Sequence, residues 1–522
     1  MADEQALPRG TKLALLAMGL GVIVIANDFT ALNVALPAME EDFDVDVGTI
    51  QWTINAYALT FGMVLVTGGR LADMFGRRRI FFIGTAIFAG FSLLGGLAQN
   101  AEQLIAMRVG MGVGGGLMWP AILGMTFAAV PAERAAFAGG LILGIAGLGN
   151  AVGPLIGGLL TDEVSWRAIF FLNIPIAAFA FAVTLAKVHQ PVDEAPRERI
   201  DYGGIVALSL GLVLLLLALD QSAEWGWGDA RVLAMLALSA ISFLAFTQIE
   251  PRMGTAALVP KAVIANRRFV AACMTILFLS AVFFTAILYV PQLMEKILGY
   301  SALEAGAGML PMLGTFGVVA FLSDRLTARF GMRPVILAGT ALLAAGPLLL
   351  SLFDSSSGYA ALVPGLLATG VGAGLFYPSV TTAAVGSLDE SQSSLAGGIA
   401  YMFQVAGGAI GLGLTTALFT IRSEDKISSD AADVAISLTE AKVEVIHGIL
   451  AGTESGRQAS ADFSPGAAEK IVEVVEDTFV AGVQFSLVVV SAIALIGLVI
   501  AIAGVRPEPV AATGAERSRE PA

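Results

Sequence analysis

The sequence predicts an all-α polytopic membrane protein of about fourteen transmembrane helices, arranged as two parallel six-helix bundles plus two inserted linker spans. The prediction rests on the composition, on recurring apolar runs and on an internal repeat. Hydrophobic residues make up 57% of the 522 positions and charged residues only 14%, whereas soluble domains carry roughly 25% charged residues. Most of the chain is therefore expected to lie in lipid rather than in water.

Apolar runs of about 20 residues recur along the chain, and each is long enough to cross a hydrocarbon core of about 30 Å as a helix. The first run, which begins near Leu13, has the length and basic flank of a secretory signal peptide. Because the pattern continues to Ala503, we interpret this run as the first of many spans. The predicted spans begin near residues 13, 51, 79, 102, 135, 167, 203, 230, 268, 303, 333, 358, 394 and 479.

The distribution of basic residues predicts how the spans are oriented. An even number of spans places both termini on one side of the membrane, and the loops on that side hold most of the arginines, including the run 77–79. The short loops on the opposite side hold only Arg167, Arg231 and Lys296. The positive-inside rule therefore predicts a multi-pass protein of the plasma membrane with both termini in the cytoplasm.

Two segments are predicted to lie outside the lipid. Residues 422–477 are polar and acidic enough to form an extracytoplasmic loop, either a solvated segment or a lid over the outer face. The tail at residues 506–522 is rich in Pro, Ala, Glu and Arg, a composition typical of disordered segments. We therefore expect a disordered cytoplasmic tail.

An internal repeat predicts the arrangement of the spans. Residues 112–120 read GVGGGLMWP and residues 370–378 read GVGAGLFYP, an offset of 258 positions that also relates Gly149 to Gly407. This offset covers eight spans, an even number, so the two copies have the same orientation in the membrane. The predicted units are an N-terminal six-helix bundle, two inserted transmembrane helices and a C-terminal six-helix bundle at residues 1–190, 200–250 and 262–505.

The loop after the second span carries the most specific motif. Residues 69–79 read GRLADMFGRRR, and a degraded copy occupies the equivalent place in the second half. Gly69 permits close approach of two helices, and Gly76 permits a tight turn. Asp73 can accept hydrogen bonds from the amides of a helix N-terminus or from Arg77.

The fifth span carries a second motif, GNAVGPLIGG, at residues 149–158. Its proline removes one hydrogen bond from the helix, and its glycines leave a smooth face that can slide against a neighbouring helix. The motif residues are Gly149, Gly153, Pro154, Gly157 and Gly158.

These two motifs resemble those of the major facilitator superfamily, and residues 27–37 and 166–175 resemble the family's patterns in the first and sixth spans. With fourteen spans, the chain is similar to the drug:proton antiporters of the EmrB/QacA type. The resemblance implies secondary active export of small lipophilic or cationic compounds by alternating access, driven by the proton gradient without a cofactor. It also implies that the loop at residues 69–79 latches the cytoplasmic ends of the bundles in the outward-facing state.

Two ionisable residues, Asp28 and Arg108, fall inside apolar runs. A charge at that depth costs at least ~2.5–3.5 kcal/mol, so such residues are functional candidates. A conformational change that alters their contact would let Asp28 bind and release a proton, and Arg108 would tune that carboxylate or bind an anion. Asp28 is therefore a candidate proton site, an attachment point for cationic cargo, or both. The alternative is a structural pair that locks the first and fourth spans together.

Seven further polar residues lie in or near predicted spans and are candidates to line a central cavity. They are Asn55, Tyr57, Asn150, Tyr289, Gln292, Tyr401 and Gln404.

The sequence argues against several other classes of function. Cys273 is the only cysteine, so there is no internal disulfide and no thiol pair for a metal. The glycines at 110–115 match a dinucleotide fingerprint but lie inside a predicted membrane helix with no preceding strand. No Walker loop, zinc-binding helix or serine nucleophile motif is present, and the net charge of −13 argues against nucleic acid as a partner. We predict a protein that is not an enzyme and binds no metal.

The expected partners are a small-molecule substrate, protons and membrane lipid, and we expect the chain to function as a monomer. Two alternatives to a multidrug exporter stay open. One is a narrow-specificity exporter or importer of a metabolite with the same fold. The other is a membrane sensor that kept the fold and does not transport.

Overall fold

The computed structural model describes residues 8–45, 47–130, 135–188, 201–254, 257–433 and 465–504. Within these ranges the regular structure is helical, with no β-strand. The first half contains α1 (Arg9–Phe43), α2 (Val47–Phe75), α3 (Arg77–Gly96), α4 (Ala101–Ala128), α5 (Ala135–Glu163) and α6 (Arg167–Lys187). Two helices follow, α7 (Tyr202–Trp225) and α8 (Ala230–Met253). The second half contains α9 (Lys261–Ala265), α10 (Arg267–Lys296), α11 (Ala302–Gly308), α12 (Leu310–Phe330), α13 (Met332–Leu350), α14 (Val363–Val385), α15 (Ser393–Asp433) and α16 (Pro465–Gly504).

The prediction of an all-α membrane protein with about fourteen spans is confirmed. Thirteen described helices are long and apolar enough to cross a membrane. A fourteenth long helix, α12, carries Asp324, Arg325 and Arg329 in its last turns, which lowers its mean hydropathy. The tenth span begins later than predicted, at Leu310 instead of near 303, because the short helix α11 precedes it and Pro311 in the first turn of α12 lacks an amide hydrogen.

The polar segment between the last two spans differs in part from the predicted loop. Helix α15 continues to Asp433 and α16 begins at Pro465, so both spans extend into residues 422–477 as helices. The start of α16 is rich in alanine and glutamate, which favour helix. Residues 434–464 and the predicted tail at 506–522 lie outside the described residues.

The predicted repeat is present in the packing of the helices. In the first half α1 packs against α5 and α6, α3 packs against α4 and α6, and α2 packs against α4. In the second half α10 packs against α15 and α16, α13 against α14 and α16, and α12 against α14. These are the same pairs in the same chain order, so the halves are two copies of one six-helix bundle.

The repeat extends to individual contacts at the end of the molecule where α3 and α13 begin. The guanidinium of Arg78 donates to the Leu185 carbonyl near the end of α6 at 2.8 Å, and Arg333 donates to the Ile502 carbonyl near the end of α16 at 3.1 Å. Each arginine satisfies a carbonyl that the last turn of its partner helix leaves without an amide. In both halves a glycine with positive φ, of 97° and 84° respectively, makes the preceding turn.

We call this end of the molecule, where α3 and α13 begin, the basic end, and the opposite end, where α1 finishes in Glu40, Glu41 and Asp42, the acidic end. The two bundles meet along α2 with α15 and along α5 with α12. A Cβ built on Gly398 of α15 would lie 2.6 Å from the Leu65 carbonyl oxygen of α2. The seam between the bundles is therefore packed at backbone distance on the basic side.

The inserted helices α7 and α8 form a pair beside this seam. They pack against each other, and the Ser239 hydroxyl of α8 donates to the Gly211 carbonyl of α7 at 2.7 Å. Helix α7 also lies against α2 and α15, one helix from each bundle. Most of α8 faces outward, where lipid is expected.

We expect the close packing of α3 and α4 to make Gly114→Ala destabilising. A Cβ at Gly114 would lie 2.5 Å from the Phe88 amide nitrogen and 2.8 Å from the Gly84 carbonyl oxygen, so the two backbones must separate. Overpacking of this kind costs about 1–3 kcal/mol, and the Tm of the purified protein in detergent should fall by several degrees. Gly90→Ala in α3 is the control, since a Cβ there meets no atom within 4 Å. Equal Tm values for the two variants would contradict this packing.

Candidate functional site

A buried ion pair lies at the centre of the first bundle. Helix α1 supplies Asp28 and α4 supplies Arg108, whose Nη1 donates to the Asp28 carboxylate, and neither side chain is exposed to solvent. The two charged residues that the sequence places inside apolar runs are therefore in direct contact. The pair places a carboxylate and a guanidinium at one point of the bundle, where both are shielded from solvent.

Arg108 has partners besides Asp28. Its Nε donates to the Thr53 carbonyl oxygen of α2 at 2.7 Å, and Nη1 approaches the Met111 sulfur at 3.8 Å. Its guanidinium carbon lies 4.2 Å from the ring centroid of Tyr57, close enough for a cation–π contact. These contacts stabilise the guanidinium charge when the carboxylate is neutral.

The second oxygen of Asp28 faces α3 and α6. The amide nitrogen of Asn173 on α6 donates to Asp28 Oδ1 at 3.2 Å and lies 3.2 Å from the Ser92 hydroxyl of α3. That hydroxyl in turn donates to the Phe170 carbonyl oxygen at 2.8 Å. Helices α1, α3, α4 and α6 are therefore joined by one buried polar network around a single carboxylate.

A chain of aromatic rings connects the ion pair to the seam between the bundles. The Tyr57 ring, which lies on Arg108, is 6.0 Å from the ring of Phe61. Phe61 is 5.8 Å from Tyr401 of α15, and Tyr401 lies 4.1 Å from Trp119 of α4. Tyr401 is half-buried, whereas Tyr57, Phe61 and Trp119 are fully buried. A molecule bound in the seam at Tyr401 would thus be two rings away from the Arg108 guanidinium.

The motif at residues 69–79 was predicted as a loop, but it covers the end of α2, a one-residue turn at Gly76 and the start of α3. This motif joins the two bundles at the basic end. Asp73 Oδ2 accepts a hydrogen bond from the Leu395 amide at 2.7 Å, and Oδ1 accepts one from the Ser394 amide at 3.3 Å. These amides begin α15, where the helix dipole favours a negative charge. Arg77 holds the carboxylate in place, with Nε 3.3 Å from Asp73 Oδ1.

The first glycine of this motif, Gly69, permits the close contact between α2 and α15. A Cβ at Gly69 would lie 2.7 Å from the Ser394 carbonyl oxygen, so a larger residue would push α2 away from α15. Gly76 begins α3 with φ of 97°, a conformation that other residues rarely adopt. Asp73, Arg77 and the backbone of α15 therefore close the basic end of the seam. We call this contact the latch.

The glycine motif of α5 packs against α1, the helix that carries Asp28. Gly149, Gly153 and Gly157 share one face of α5, and Cβ atoms built on them would meet Ala26, Thr30 and Ala31 of α1. The Cβ position of Gly158 lies 3.6 Å from Val34, and Pro154 lies within the helix. The motif thus sets how closely α1 and α5 approach on the side of α1 away from the ion pair.

The polar residues proposed from the sequence to line a cavity lie in different surroundings. Tyr57 and Tyr289 are buried inside their own bundles, Tyr57 against Arg108 and Tyr289 with its ring 5.7 Å from Phe419. The Gln292 side-chain amide donates to the Leu288 carbonyl of its own helix at 3.1 Å. The remaining four are half-buried on helices of the seam, Asn55 on α2, Asn150 on α5, and Tyr401 and Gln404 on α15.

Sequence reasoning did not identify several members of the network. Asn173 is a polar residue inside an apolar helix, and this signal could have placed it beside Asp28. Ser92, Phe61 and Trp119 give no such signal, because single serines and aromatic residues are common in membrane helices. Within the described residues no group of three or more His, Cys, Asp or Glu side chains is placed to hold a metal ion.

Comparison with known proteins identifies the family of the chain. The family model of the Major Facilitator Superfamily matches residues 18–412. The chain belongs to the Major Facilitator Superfamily. The resemblance drawn from the signature loop and the glycine–proline motif is thereby confirmed.

Several relatives within the Major Facilitator Superfamily are exporters by name. The chain is 30% identical to the tetracenomycin C resistance and export protein of Streptomyces glaucescens, over 95% of this chain and 92% of the relative. It is 30% identical to the multidrug transporter protein MdtP of Bacillus subtilis, over 79% and 76% of the two chains. It is 33% identical to the cephamycin export protein CmcT of Amycolatopsis lactamdurans, over 74% and 81%.

A solved structure shares the fold. The crystal structure of the human organic anion transporter MFSD10 (TETRAN) superposes with a TM-score of 0.62, covering 95% of this chain and all of that one, at 14% sequence identity. At this level of identity the likeness concerns the fold alone. It agrees with the all-α architecture of the superfamily described above.

We expect Asp73→Ala to loosen the basic end by removing the acceptor for two amides of α15. Ala186 on α6 and Arg329 on α12 are exposed at this end, one in each bundle. Spin labels attached to Ala186→Cys and Arg329→Cys, in a protein that also carries Cys273→Ser, report the distance between the bundles. Double electron–electron resonance should show a broader distribution shifted to longer distances. Asp389→Ala, which removes an exposed acid near the same end, should leave the distribution unchanged. An unchanged distribution in Asp73→Ala would contradict the latch.

Proposed function

We propose that the chain is a proton-coupled exporter that exchanges small lipophilic or cationic compounds for protons by alternating access. The observation that carries the proposal is the fully buried Asp28–Arg108 pair, which is connected through Tyr57 and Phe61 to the seam between the bundles. Ionisable side chains inside membrane helices are costly and mark functional sites by default.

The proton step acts through the contact between α1 and α4. While Asp28 is ionised, its attraction to Arg108 holds the two helices together. When Asp28 accepts a proton, the pair loses its charge–charge attraction, and Arg108 keeps the Thr53 carbonyl and the Tyr57 ring. Near Asp28, α1 packs on Gly149, Gly153 and Gly157 of α5. We propose that α1 then shifts along this glycine face, which carries no Cβ atoms at those three positions. Protonation thus favours one of the two conformations of the carrier.

The cargo step acts at the seam. Tyr401 is half-buried there and packs on the fully buried rings of Phe61 and Trp119, so opening of the seam would expose aromatic surface. Such surface favours flat and lipophilic molecules, and aromatic faces also attract cations. Cargo that separates Tyr401 from Phe61 would disturb the Tyr57 ring and through it Arg108. Cargo and proton would then bias the same equilibrium in opposite directions, which is the requirement for exchange.

The remaining features of the proposal follow from the distribution of charge. Arginines are concentrated at the basic end, so this end faces the cytoplasm in the plasma membrane, with both termini on that side. The latch then closes the cytoplasmic side, which makes the structure the outward-facing or occluded form of the carrier. The proton gradient supplies the energy without a cofactor, and one chain contains both bundles and the seam, so a monomer suffices.

We expect Asp28→Asn to abolish energised export. In cells that express the wild type, ethidium efflux should depend on the proton gradient and stop with a protonophore. The Asp28→Asn variant should lose this efflux by at least about tenfold, because its neutral amide removes the exchangeable proton from the cycle.

Asp42→Asn is the matched control for this experiment. Asp42 also lies on α1 and forms an ion pair with Arg167 at 2.7 Å, but it is exposed. An exposed pair contributes about 0–1 kcal/mol, so this variant should retain efflux within about twofold. Full protonophore-sensitive efflux by Asp28→Asn would overturn the proposed coupling role.

A second candidate function is export of one class of metabolite, and the names of two relatives favour it. Those proteins are named for the export of tetracenomycin C and of cephamycin. If the protein exports one class of metabolite, cells that express the wild-type protein well would not export ethidium. A proton gradient would still drive the export of one compound, which screening would identify. The Asp28→Asn variant would abolish that flux in the same way.

The proposed orientation predicts opposite labelling of the two ends. Ala186 at the basic end and Gly358 at the acidic end are both exposed. Each is replaced singly by cysteine in a variant whose native, buried Cys273 has been changed to serine. In intact cells a membrane-impermeant maleimide should label Gly358→Cys and should leave Ala186→Cys unlabelled until the membrane is opened. The reverse pattern would invert the orientation.

A further inference from the structure

We propose that Asn173 of α6, anchored by Ser92 of α3, is a positioning residue that sets the pH at which Asp28 exchanges its proton. The inference rests on the proposed function, in which Asp28 carries the proton. The sequence suggested Arg108 alone as the partner of this acid, whereas the structure gives each carboxylate oxygen its own partner. Oδ2 is bound by Arg108 and Oδ1 by Asn173.

The two partners differ in what they can do during a transport cycle. Arg108 belongs to α4 and has further contacts with Thr53 and Tyr57, so it can withdraw from Asp28 without losing all its partners. Asn173 is a neutral donor, and its bond to Oδ1 does not depend on Arg108. It therefore continues to hold the carboxylate when Arg108 moves, and it defines the state from which the proton is taken up or released.

The geometry around Asn173 is specific. Its side chain is fully buried, and its nitrogen lies 3.2 Å both from Asp28 Oδ1 and from Ser92 Oγ. Ser92 Oγ donates its hydrogen to the Phe170 carbonyl and can therefore accept one from Asn173. This acceptor orients the amide so that nitrogen, and not oxygen, faces Asp28. A donor in that position fills the acceptor site on Oδ1 that Arg108 leaves open.

Asn173 also has a free acceptor. Its Oδ1 is buried without a hydrogen-bond partner, as is Nη2 of Arg108. These two atoms are polar groups of the network that the conformation described here leaves unsatisfied.

Few other groups can influence the titration of Asp28. Among the described residues, the charged or titratable groups that face it are Arg108 from α4 and Tyr57 from α2. Helix α5 faces α1 with glycines, and α6 contributes Asn173. A change in the pH dependence of Asp28 on removing Asn173 therefore has a single direct cause.

The test measures the protonation of Asp28 directly in the purified full-length protein in lipid nanodiscs. Infrared difference spectra are recorded through a pH titration, and the carboxyl band that disappears in Asp28→Asn is assigned to this residue. We expect Asn173→Ala to move the midpoint of that band upward by about one pH unit, because the ionised form loses a donor. Asn173→Ser, which keeps a hydroxyl donor, should move it less.

Two further variants separate positioning from general loss of structure. Ser280→Ala removes a buried hydroxyl that lies 3.1 Å from Tyr377 Oη in the second bundle, far from Asp28 in the fold, and should leave the midpoint unchanged. Ser92→Ala removes the anchor of Asn173 and should shift the midpoint in the same direction as Asn173→Ala. This variant also provides the test if Asn173→Ala does not fold.

The outcomes are distinguishable from failure of the proposed function. An unchanged midpoint in both Asn173→Ala and Ser92→Ala would overturn the inference, and so would an equal shift in Ser280→Ala. An Asp28 band that does not titrate in the wild type would overturn it as well. If the midpoint shifts as expected but the wild type transports nothing in exchange for protons, the positioning role stands and the proposed function fails.

Discussion

The burial of the Asp28–Arg108 pair is the constraint on which the rest of the first bundle depends. Each charge carries a desolvation penalty of several kcal/mol in a protein interior, and removing one partner of such a pair costs about 3–5 kcal/mol. Each ion therefore needs additional partners. The Thr53 carbonyl and the Tyr57 ring provide them for Arg108, and Asn173 provides one for Asp28. These contacts tie α1, α2, α4 and α6 to one point, and the glycines of α5 let α1 pack against α5 at backbone distance.

The two halves repeat the same packing but not the same chemistry. At the offset of 258 positions Arg108 corresponds to Leu366, which is fully buried. Counting back from the equivalent glycines Gly76 and Gly331, the place of Asp73 is taken by Ala328. The second bundle instead contributes backbone amides to the latch and Tyr401 to the seam. The first bundle thus carries the buried ion pair and the latch carboxylate, and the second supplies the backbone amides and the tyrosine that face them.

The sequence predicted the fold well because its signals are strong and regular. Apolar runs of membrane length located the spans, and a constant offset between two glycine-rich segments revealed the parallel repeat. The contact of Asp28 with Arg108 was anticipated, because an unpaired charge inside a membrane is costly and two opposite charges reduce that cost by pairing. The contacts of Asn173, Ser92 and Trp119 were not anticipated. They depend on how α3, α4 and α6 are rotated about their axes, and the apolar sequences of these helices show no pattern from which we could predict that rotation. The helical extensions into residues 422–433 and 465–477 were missed because polar composition alone suggested a loop.

The central claim is that a proton on Asp28 and a molecule in the seam exchange across the membrane, and reversal of the cycle tests it most directly. Purified protein is reconstituted in liposomes that contain a pH-sensitive dye, and an outward gradient of ethidium is imposed with no pH difference. The account predicts that ethidium leaving the vesicles drives protons inward, so that the lumen acidifies with the wild type and not with Asp28→Asn. Ethidium flux through the wild type with no change in luminal pH, or equal acidification by Asp28→Asn, would contradict it.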